Sequence, residues 1–386
     1  MQFMVDEKAV DSRLPKRLFI TTDSIGDMWL YSAALARSLG QRGTGVALVT
    51  FGPALSDAEK GWVERTRGIE LFESGFPLEW TWRYWSEQEQ AGNWLLRLAS
   101  RFRPDLVHLN GLAFAGLELE WPVLVAVHRS QEARWLDVER RPLPKPWEFY
   151  RDRVAEGLRS AAVVIAPTHA ALASLRARYG HFRSGRVIPF GWHPSKQSKE
   201  DKKGFIVAAQ QLWDESFNLQ ALERCAPYLG WPIFCIGERL DSAGERARVQ
   251  ARNICCLGAL GEEELEEWLQ QSSIYVAPGR FPDGQISILR AAFAGCAMVL
   301  GNHPDLKEIW SEAAVFVPPE EPEPIRLALE RLIQDAHWRS ALAEKARQRA
   351  HELSFSAMTG KYCVAYNDVL HPGVRSPNVL SGAIGA

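Results

Sequence analysis

The hydrophobic and polar positions of the first half alternate between two spacings. Short apolar runs at 17–20 and 46–50 predict buried strands, and the stretch 29–42 between them has apolar residues at the 3.6-residue spacing of a helix. The same features predict further strands at 106–109, 123–127, 162–166 and 186–189, and helices at 146–159 and 170–179. Apolar strands that alternate with helices predict a parallel sheet with helices on both faces.

The second half of the chain repeats this alternation after a polar interruption at 193–203. Strands are predicted at 205–209, 233–237, 254–257, 274–277, 298–300 and 314–317. Helices are predicted at 218–228, 262–271, 286–293, 305–310, 324–334, 336–353 and 356–370. Because a chain of 386 residues exceeds the usual size of one core, we interpret the polar segment as a linker between two domains.

The predicted fold is α/β, with two Rossmann-like, doubly wound domains that face a central cleft. The predicted boundaries are an N-terminal domain at 1–192, the linker at 193–203, a C-terminal domain at 204–355, a helix at 356–370 and a disordered tail at 371–386. The last helix is expected to pack back on the N-terminal domain. Open parallel sheets bind ligands beyond the carboxyl ends of their strands, so a ligand is expected between the two domains.

The segment 272–301 carries the clearest local pattern. A buried strand runs into a loop rich in proline and glycine, Pro278–Gly284, which an apolar helix and a second apolar strand follow. A strand, loop, helix and strand of this length predict a βαβ unit. Its loop lies at the carboxyl end of a strand, so we expect it to contact a ligand.

Composition excludes several classes of function. The net charge of −2 gives no general attraction to nucleic acid or to an anionic membrane. No apolar run approaches about 18 residues, and the charged N-terminus lacks the apolar core of a secretory signal, so neither a transmembrane helix nor export is predicted. The six cysteines lack a CxxC pair, which favours reduced core thiols in a cytoplasmic protein over disulfides or a metal site.

Eight short segments occur in an order that is itself informative. In the first half these are the strand and loop before 29–31 (WLY), then 104–111 (PDLVHLNG), His128 after an apolar strand, and 164–168 (VIAPT). In the second half they are 212–215 (LWDE), the loop before the 286–293 helix, 294–296 (AGC) and 315–319 (VFVPP). In order and spacing the chain resembles family 4 of the GT-B glycosyltransferases, which are retaining enzymes.

This resemblance implies a hexosyltransferase with a nucleotide-sugar donor as substrate, an unknown acceptor and no further cofactor or metal. It places His128 near the reacting carbon of the donor sugar, as the candidate catalytic residue, and it assigns no protein nucleophile. The implied donor-binding residues are Gly26, Asp27, Gln211, Asp214, Glu215, Asp283, Gly284, Gln285, Ile286 and Arg290. The implied acceptor-side residues are His108, Asn110, Arg129 and Trp135.

The chain departs from the family pattern where the family binds the donor. The family's phosphate-binding arginine falls on Gln211 and its partner lysine on Phe217. The two glutamates of the E-x7-E motif fall on Pro282 and Arg290, and the second of the paired glycines falls on Asp27. Two lost cations remove charge-assisted bonds worth about 1.5–3 kcal/mol each, and an added carboxylate repels an anion.

Three interpretations follow from these departures. A rebuilt anion site is one, since Arg290, Arg280 and Arg129 add positive charge and the loop 282–284 leads into a helix whose amide end attracts anions. Asp283 could then bind hydroxyls in place of the first glutamate. The second is a degenerate homologue that acts as a partner or regulatory subunit of an active glycosyltransferase. A weaker third is another GT-B activity, such as epimerisation or hydrolysis.

Several of these residues also fit purely structural roles. Asp214 could cap a helix, and Arg290 could be a surface arginine. His108 and Asn110 could belong to a polar network at a strand end. His128 could be a hydrogen-bonded histidine in the same position.

Overall fold

The computed structural model describes residues 14–79, 85–128, 130–142, 144–193, 201–238 and 251–373. The remaining parts of the chain include Arg129, residues 194–200 of the predicted linker and residues 374–386 of the predicted tail. Expectations for these residues lie outside the described part of the chain.

The first domain is a parallel sheet of seven strands in the order β3-β2-β1-β4-β5-β6-β7. The strands are β1 (Arg17–Asp23), β2 (Gly45–Phe51), β3 (Ile69–Glu73), β4 (Leu106–Asn110), β5 (Val123–Ala126), β6 (Val163–Ala166) and β7 (Gly185–Val187). The helices between them are α1 (Gly26–Gln41), α2 (Asp57–Glu64), α3 (Trp85–Phe102), α4 (Gln131–Arg134), α5 (Glu148–Ser160) and α6 (His169–Tyr179). A π-helical turn, Trp135–Glu139, continues α4.

The second domain is a parallel sheet of six strands in the order β10-β9-β8-β11-β12-β13. Its strands are β8 (Lys203–Ala209), β9 (Ile233–Ile236), β10 (Cys255–Gly258), β11 (Ser272–Ala277), β12 (Ala297–Gly301) and β13 (Val315–Val317). Its helices are α7 (Leu219–Cys225), α8 (Glu262–Gln271), α9 (Gln285–Phe293), α10 (Pro304–Trp310), α11 (Pro322–Gln334) and α12 (Ala336–Glu352), and α13 (Phe355–Leu370) ends the fold. The predicted α/β architecture of two doubly wound sheets is confirmed.

The cores explain why continuous apolar runs mark the strands. Every residue of β11 is buried, as is nearly all of β1, because helices cover both faces of each sheet. One apolar cluster includes Leu35 of α1, Ile288 of α9 and Tyr366 of α13, so the two domains share a continuous core.

The helix α13 returns to the first domain. Trp192 forms a β-bridge with Ser354 just before this helix, and a side chain at Gly191 would come within 2.5 Å of the Ser354 carbonyl oxygen. Farther along, Asp368 of α13 forms an ion pair of 2.6 Å with Arg186 of β7. The last helix therefore belongs to the packing of the N-terminal sheet.

Some elements differ from those predicted. α2, β3 and α3 were not predicted, and the first two have few fully buried positions, which weakens their apolar pattern. α1 begins at Gly26 and not at Trp29, so Asp27 lies in the first turn of the helix and not in a loop. In this position the Asp27 carboxylate reaches the backbone N–H of Ile286 in the second domain.

Helix α6 is capped by a side chain from the other domain. The Glu308 carboxylate of α10 accepts hydrogen bonds from the backbone N–H groups of His169, at 2.7 Å, and Ala170, at 2.9 Å. These are two of the donors that a helix leaves unpaired at its N-terminus, and a negative charge there is favourable.

We predict that Glu308→Ala lowers the free energy of unfolding by about 1 kcal/mol, because both N–H groups lose their charged acceptor. Glu312→Ala is the matched control, since the ion pair between Glu312 and Lys345 is exposed. Urea unfolding of the three proteins measures the difference. Equal stability of the two variants would contradict the interdomain cap.

His303 joins the two domains through a pair of carboxylates. Its Nδ1 lies 3.0 Å from Asp305 Oδ2, and its Nε2 lies 3.7 Å from Asp137 Oδ2 of the first domain. Burial opposes the charged imidazolium, but the hydrogen bonds and charges of Asp137 and Asp305 outweigh it and raise the pKa of His303 to about 9. The imidazolium therefore favours the closed, folded protein.

This raised pKa predicts a pH-dependent stability. The contribution is fully present below the ordinary pKa of 6.5 and is lost as the pH rises through about 9. We expect the unfolding free energy of the wild-type protein to fall by up to about 3 kcal/mol more than that of His303→Gln over this range. Parallel pH profiles of the two proteins would show that the carboxylates do not stabilise the charge.

Candidate active site between the two domains

A cavity of about 890 Å³ lies between the two sheets, at the carboxyl ends of their strands. Sites for small organic ligands commonly have about 300–1,000 Å³. Most of the predicted site residues line it: Gly26, Asp27, Asn110, His128, Gln211, Asp214, Asp283, Gly284, Gln285 and Arg290. Both domains thus contribute residues to one cavity.

The Asn110 amide fixes the tautomer of His128. Asn110 Nδ2 donates to the Thr21 carbonyl oxygen at 2.9 Å and to Ser32 Oγ at 3.2 Å. This orients Asn110 Oδ1, an acceptor, towards His128 Nε2 at 3.1 Å. His128 Nε2 must therefore carry the proton, and Nδ1 of the neutral ring is left as an acceptor.

The surroundings of His128 keep the ring neutral. The rings of Tyr31 and Phe190 lie 4.8 and 4.7 Å from it, centroid to centroid. Burial lowers the pKa of His128 to about 3. His128 Nδ1 has no hydrogen-bond partner in the described part of the chain. His128 can accept a hydrogen bond from a ligand hydroxyl at neutral pH, but it cannot serve there as a general acid.

The loop before α9 is held by hydrogen bonds from two side chains that follow β8, Gln210 and Ser216. Gly284 has φ of +70°, and a Cβ there would come within 2.3 Å of Gln210 Nε2. That same Nε2 donates to the Asp283 carbonyl oxygen at 2.9 Å, and Ser216 Oγ donates to Asp283 Oδ2 at 3.3 Å. The positive φ favours glycine at 284, and a Cβ there would displace the Gln210 amide that binds the loop.

Asp27, in the first turn of α1, contacts the N-terminus of α9 at the edge of the cavity. The Ile286 backbone N–H, in the first turn of α9, donates to Asp27 Oδ2 at 3.0 Å. The neighbouring Gly26 has φ of +63°, and a Cβ at this position would lie 3.4 Å from Gln211 Nε2. Sequence reasoning expected Asp27 beside a bound anion, whereas the structure puts its carboxylate directly on the amide end of α9.

Asp214 both caps a helical turn, the structural role expected of it, and forms an ion pair across the cleft. Its Oδ1 accepts from the Ser216 backbone N–H at 2.8 Å, which caps the short helical turn that follows, and from Arg134 Nη2 at 2.6 Å. Arg134 belongs to the first domain, so this ion pair links the two walls of the cavity. The next residue, Glu215, is exposed and lies outside the cavity lining.

Arg290 is buried, with 5% of its surface exposed, so its interpretation as a surface arginine is wrong. Its Nη2 donates to the Glu262 carbonyl oxygen at 3.0 Å, and its guanidinium lies within 3.8 Å of the carboxylates of Glu262 and Glu266. The guanidinium also stacks over Trp192 at 5.1 Å. Its charge is therefore largely compensated by α8, although the residue borders the cavity.

Three other predicted residues lie away from the cavity lining. His108 is fully buried, its Nδ1 is 2.8 Å from the Tyr366 hydroxyl, and its ring stacks on Tyr362. Its acceptor-side assignment is wrong, because the side chain packs under α13. Trp135 lies in the π-helical turn with the Arg141 guanidinium over its ring, and the Ile286 side chain is buried in the core.

Sequence reasoning missed other residues that line the cavity. Ser24 and Gln210 follow β1 and β8 directly, so the rule that ligands bind beyond strand ends could have identified them. The acidic residues of the described lining are Asp23, Asp27, Glu59, Glu79, Asp214, Glu238 and Asp283, and Arg290 is its one arginine. Gln211 and Phe217 also line it, so neither of the two positions at which the family has a cation carries one here.

We predict that His128 stays neutral between pH 5 and 9, because its burial places the pKa near 3. Imidazole NMR of the wild-type protein, with His128→Gln used to assign the signal, measures this directly. The Nε2-protonated tautomer is expected throughout. A His128 signal that titrates near pH 6.5 would contradict the burial and the role of Nδ1 as an acceptor.

Comparison with known proteins agrees with this geometry. A sequence model of "Glycosyltransferase Family 4" matches residues 29–196, and one of "Glycosyl transferases group 1" matches residues 208–335. No curated protein matches the chain. No helix in the described ranges is long and apolar enough to cross a membrane.

Solved structures share the fold at low sequence identity. Sucrose-phosphate synthase from Thermosynechococcus elongatus has a TM-score of 0.77 and 14% identity over 92% of this chain and 99% of that one. HepE from Anabaena, solved in complex with UDP and glucose, has a TM-score of 0.67 and 15% identity over 91% and 99%. A UDP-forming trehalose-phosphate synthase from Burkholderia xenovorans has a TM-score of 0.67 and 14% identity over 92% and 99%. With the two sequence models matching one domain each, the chain belongs to the GT-B glycosyltransferases of family 4.

Proposed function

We propose that the protein transfers a sugar from a nucleotide-sugar donor, with retention, to an acceptor in the interdomain cavity. The observation that carries the proposal is His128, whose acceptor atom Nδ1 is buried and lacks a partner in the described chain while its ring lines the cavity. A sugar hydroxyl is the kind of donor that this atom requires. The likeness to a fold solved with UDP and glucose supports the same ligand class.

The donor occupies the wall formed by the second domain. The loop at 282–284 and the first turn of α9 offer backbone N–H groups to a phosphate or a sugar hydroxyl. Gln211 supplies an amide where the family has an arginine. A neutral hydrogen bond is worth about 0.5–1.5 kcal/mol against about 1.5–3 kcal/mol for a charged one, so donor affinity is expected to be weak.

The acceptor occupies the wall formed by the first domain. Asn110, which orients His128, borders this side together with Glu79 and Gln131. The acceptor wall carries carboxylates and amides, which suit an acceptor that is rich in hydroxyl or amine donors. Retention is proposed from membership of family 4.

A second candidate function is a degenerate subunit that supports an active glycosyltransferase. The specific observation in its favour is the contact of the Asp27 carboxylate with the Ile286 amide, together with Phe217 and Pro282 at two of the family's ligand positions. Asp27 and Phe217 reduce the affinity of the cleft for a diphosphate, and Pro282 removes a carboxylate that the family has at this position. Under this hypothesis the cleft binds no nucleotide sugar and the partner enzyme does the chemistry.

We predict that the wild-type protein turns over at least one of a panel of UDP-, GDP-, ADP- and TDP-sugars, slowly, with release of the nucleoside diphosphate. His128→Ala is expected to reduce turnover by about 10–100-fold, the value of one hydrogen bond made in the transition state. Gln211→Arg is expected to raise donor affinity about tenfold, because it restores a charge-assisted bond. Chromatography of nucleotides and saturation kinetics measure both.

The same panel separates the two candidate functions. A ligand at a hundred times its Kd stabilises a protein by about 2.7 kcal/mol, so binding also raises Tm. If the folded protein shows neither turnover nor a change in Tm with any donor, the catalytic proposal fails and the degenerate subunit is favoured. Turnover that His128→Ala leaves unchanged would remove the role of His128.

A further inference from the structure

The carboxylate of Asp27, which lies in the first turn of α1, binds the N-terminus of α9. Asp27 lies in the first turn of α1, and its Oδ2 accepts from the Ile286 N–H at 3.0 Å, in the first turn of α9. Each helix N-terminus carries a partial positive charge and unpaired N–H groups. The carboxylate of the first domain is therefore bound by the second domain as an anion.

The point of contact borders the cavity. Asp27 and the residues just before Ile286, Gly284 and Gln285, line it together with Ser287. A carboxylate and a phosphate oxygen use the same N–H donors, so they compete for any donor that both can reach. In this structure the Ile286 N–H of α9 is occupied by the carboxylate of Asp27.

Two other residues of the cavity lining each carry a buried polar atom without a hydrogen-bond partner among the described residues. Ser24 is 5% exposed, and its Oγ has no hydrogen-bond partner in the described part of the chain. Arg290 is equally buried, and its Nε is likewise unpartnered there. Both residues line the cavity, Ser24 on the loop that leads to Asp27 and Arg290 on α9 itself. Buried donors without partners are costly unless a ligand satisfies them.

We propose that Asp27 is a specificity-determining residue: an internal anion that competes with the donor diphosphate for the N-terminus of α9. The inference deepens the proposed function and rests on it for the identity of the diphosphate as part of a donor. Since Asp27 comes from one domain and Ile286 from the other, an anion that displaces the carboxylate also breaks a link between the domains. Asp27 thereby sets how strongly the cleft binds diphosphates.

A purely structural role for Asp27 has a different signature. If the carboxylate only caps α9, its removal lowers stability and leaves the affinity for anions unchanged. If it competes with a diphosphate, its removal raises that affinity, because both an occupying group and a repulsive charge are lost. Affinity for an inorganic anion therefore separates the two roles without any need for turnover.

The experiment compares Asp27→Ala and Asp27→Asn with the wild-type protein, and uses inorganic pyrophosphate as the probe in calorimetric titrations at low ionic strength. Asp27→Ala is expected to bind pyrophosphate at least about tenfold more tightly than the wild-type protein. Asp27→Asn is expected to gain less, because its side-chain oxygen can still accept from the Ile286 N–H. Glu238→Gln, which removes one carboxylate from the rim of the same cavity, is the matched control and is expected to change the affinity less than twofold.

Hydrogen exchange at the Ile286 amide gives a second measurement. We expect this amide to exchange faster in Asp27→Ala than in the wild-type protein, and pyrophosphate to slow it again in the variant. Circular dichroism and Tm establish that each variant is folded before the titrations.

Unchanged pyrophosphate affinity in folded Asp27→Ala, or no binding by either protein, overturns the inference. A gain equal to that of Glu238→Gln also overturns it, since the effect would then be one of net charge. A failure of the nucleotide-sugar panel alone leaves the inference standing, because it concerns transfer and not the binding of pyrophosphate. The two failures are thus distinguishable.

Discussion

The arrangement of the two domains depends on hydrogen bonds that helix N-termini of each domain donate to acidic side chains of the other. Asp27 reaches from the first domain to α9, and Glu308 reaches from the second domain to α6. The exchange is reciprocal, so each domain satisfies backbone donors that the other leaves unpaired. Arg134 with Asp214 and His303 with Asp137 add charge pairs across the same interface. The cleft is closed by polar contacts around a shared apolar core.

This mode of closure changes the electrostatics of the cavity. A cleft that binds diphosphates ordinarily uses fixed cations, whose charge–charge attraction is strong where water is excluded. Here Arg290 of α9 is compensated by Glu262 and Glu266, and the two positions at which the family has cations carry Gln211 and Phe217. Recognition has to rely on neutral amides, backbone N–H groups and the acceptor atom of His128. Such a site discriminates by geometry more than by charge.

The fold could be predicted because its signals are local. The βαβ unit formed by β11, α9 and β12 could be predicted because its strands and helix are continuous apolar runs in the sequence. α2 and β3 were not predicted because most of their residues are only partly buried, and partial burial leaves a weak apolar period in the sequence. Partial burial accounts for these two elements but not for α3, which was missed although Ala91, Leu95 and Ala99 are fully buried.

The site was less predictable, because its contacts join distant positions. The Asp27–Ile286 hydrogen bond connects residues 259 positions apart, and no spacing of residues in the sequence predicts it. His108 and His128 both follow apolar runs, yet His108 lies inside β4, two residues before the strand ends, and faces α13. Arg290 sits on an apolar helix, and only the packing of α8 beside it supplies the carboxylates that account for its burial.

The return of α13 to the first sheet has a consequence for how such proteins can be rearranged. The hydroxyl of Tyr366 and the ring of Tyr362 cover His108, so residues from the far end of the chain complete the interior of the opening domain. Removal of everything after the linker would also remove α13 and would leave that interior open to water on one side. Exchange of the second domain between related glycosyltransferases would therefore preserve both domains only if α13 stays with the first domain, although the two are far apart in sequence.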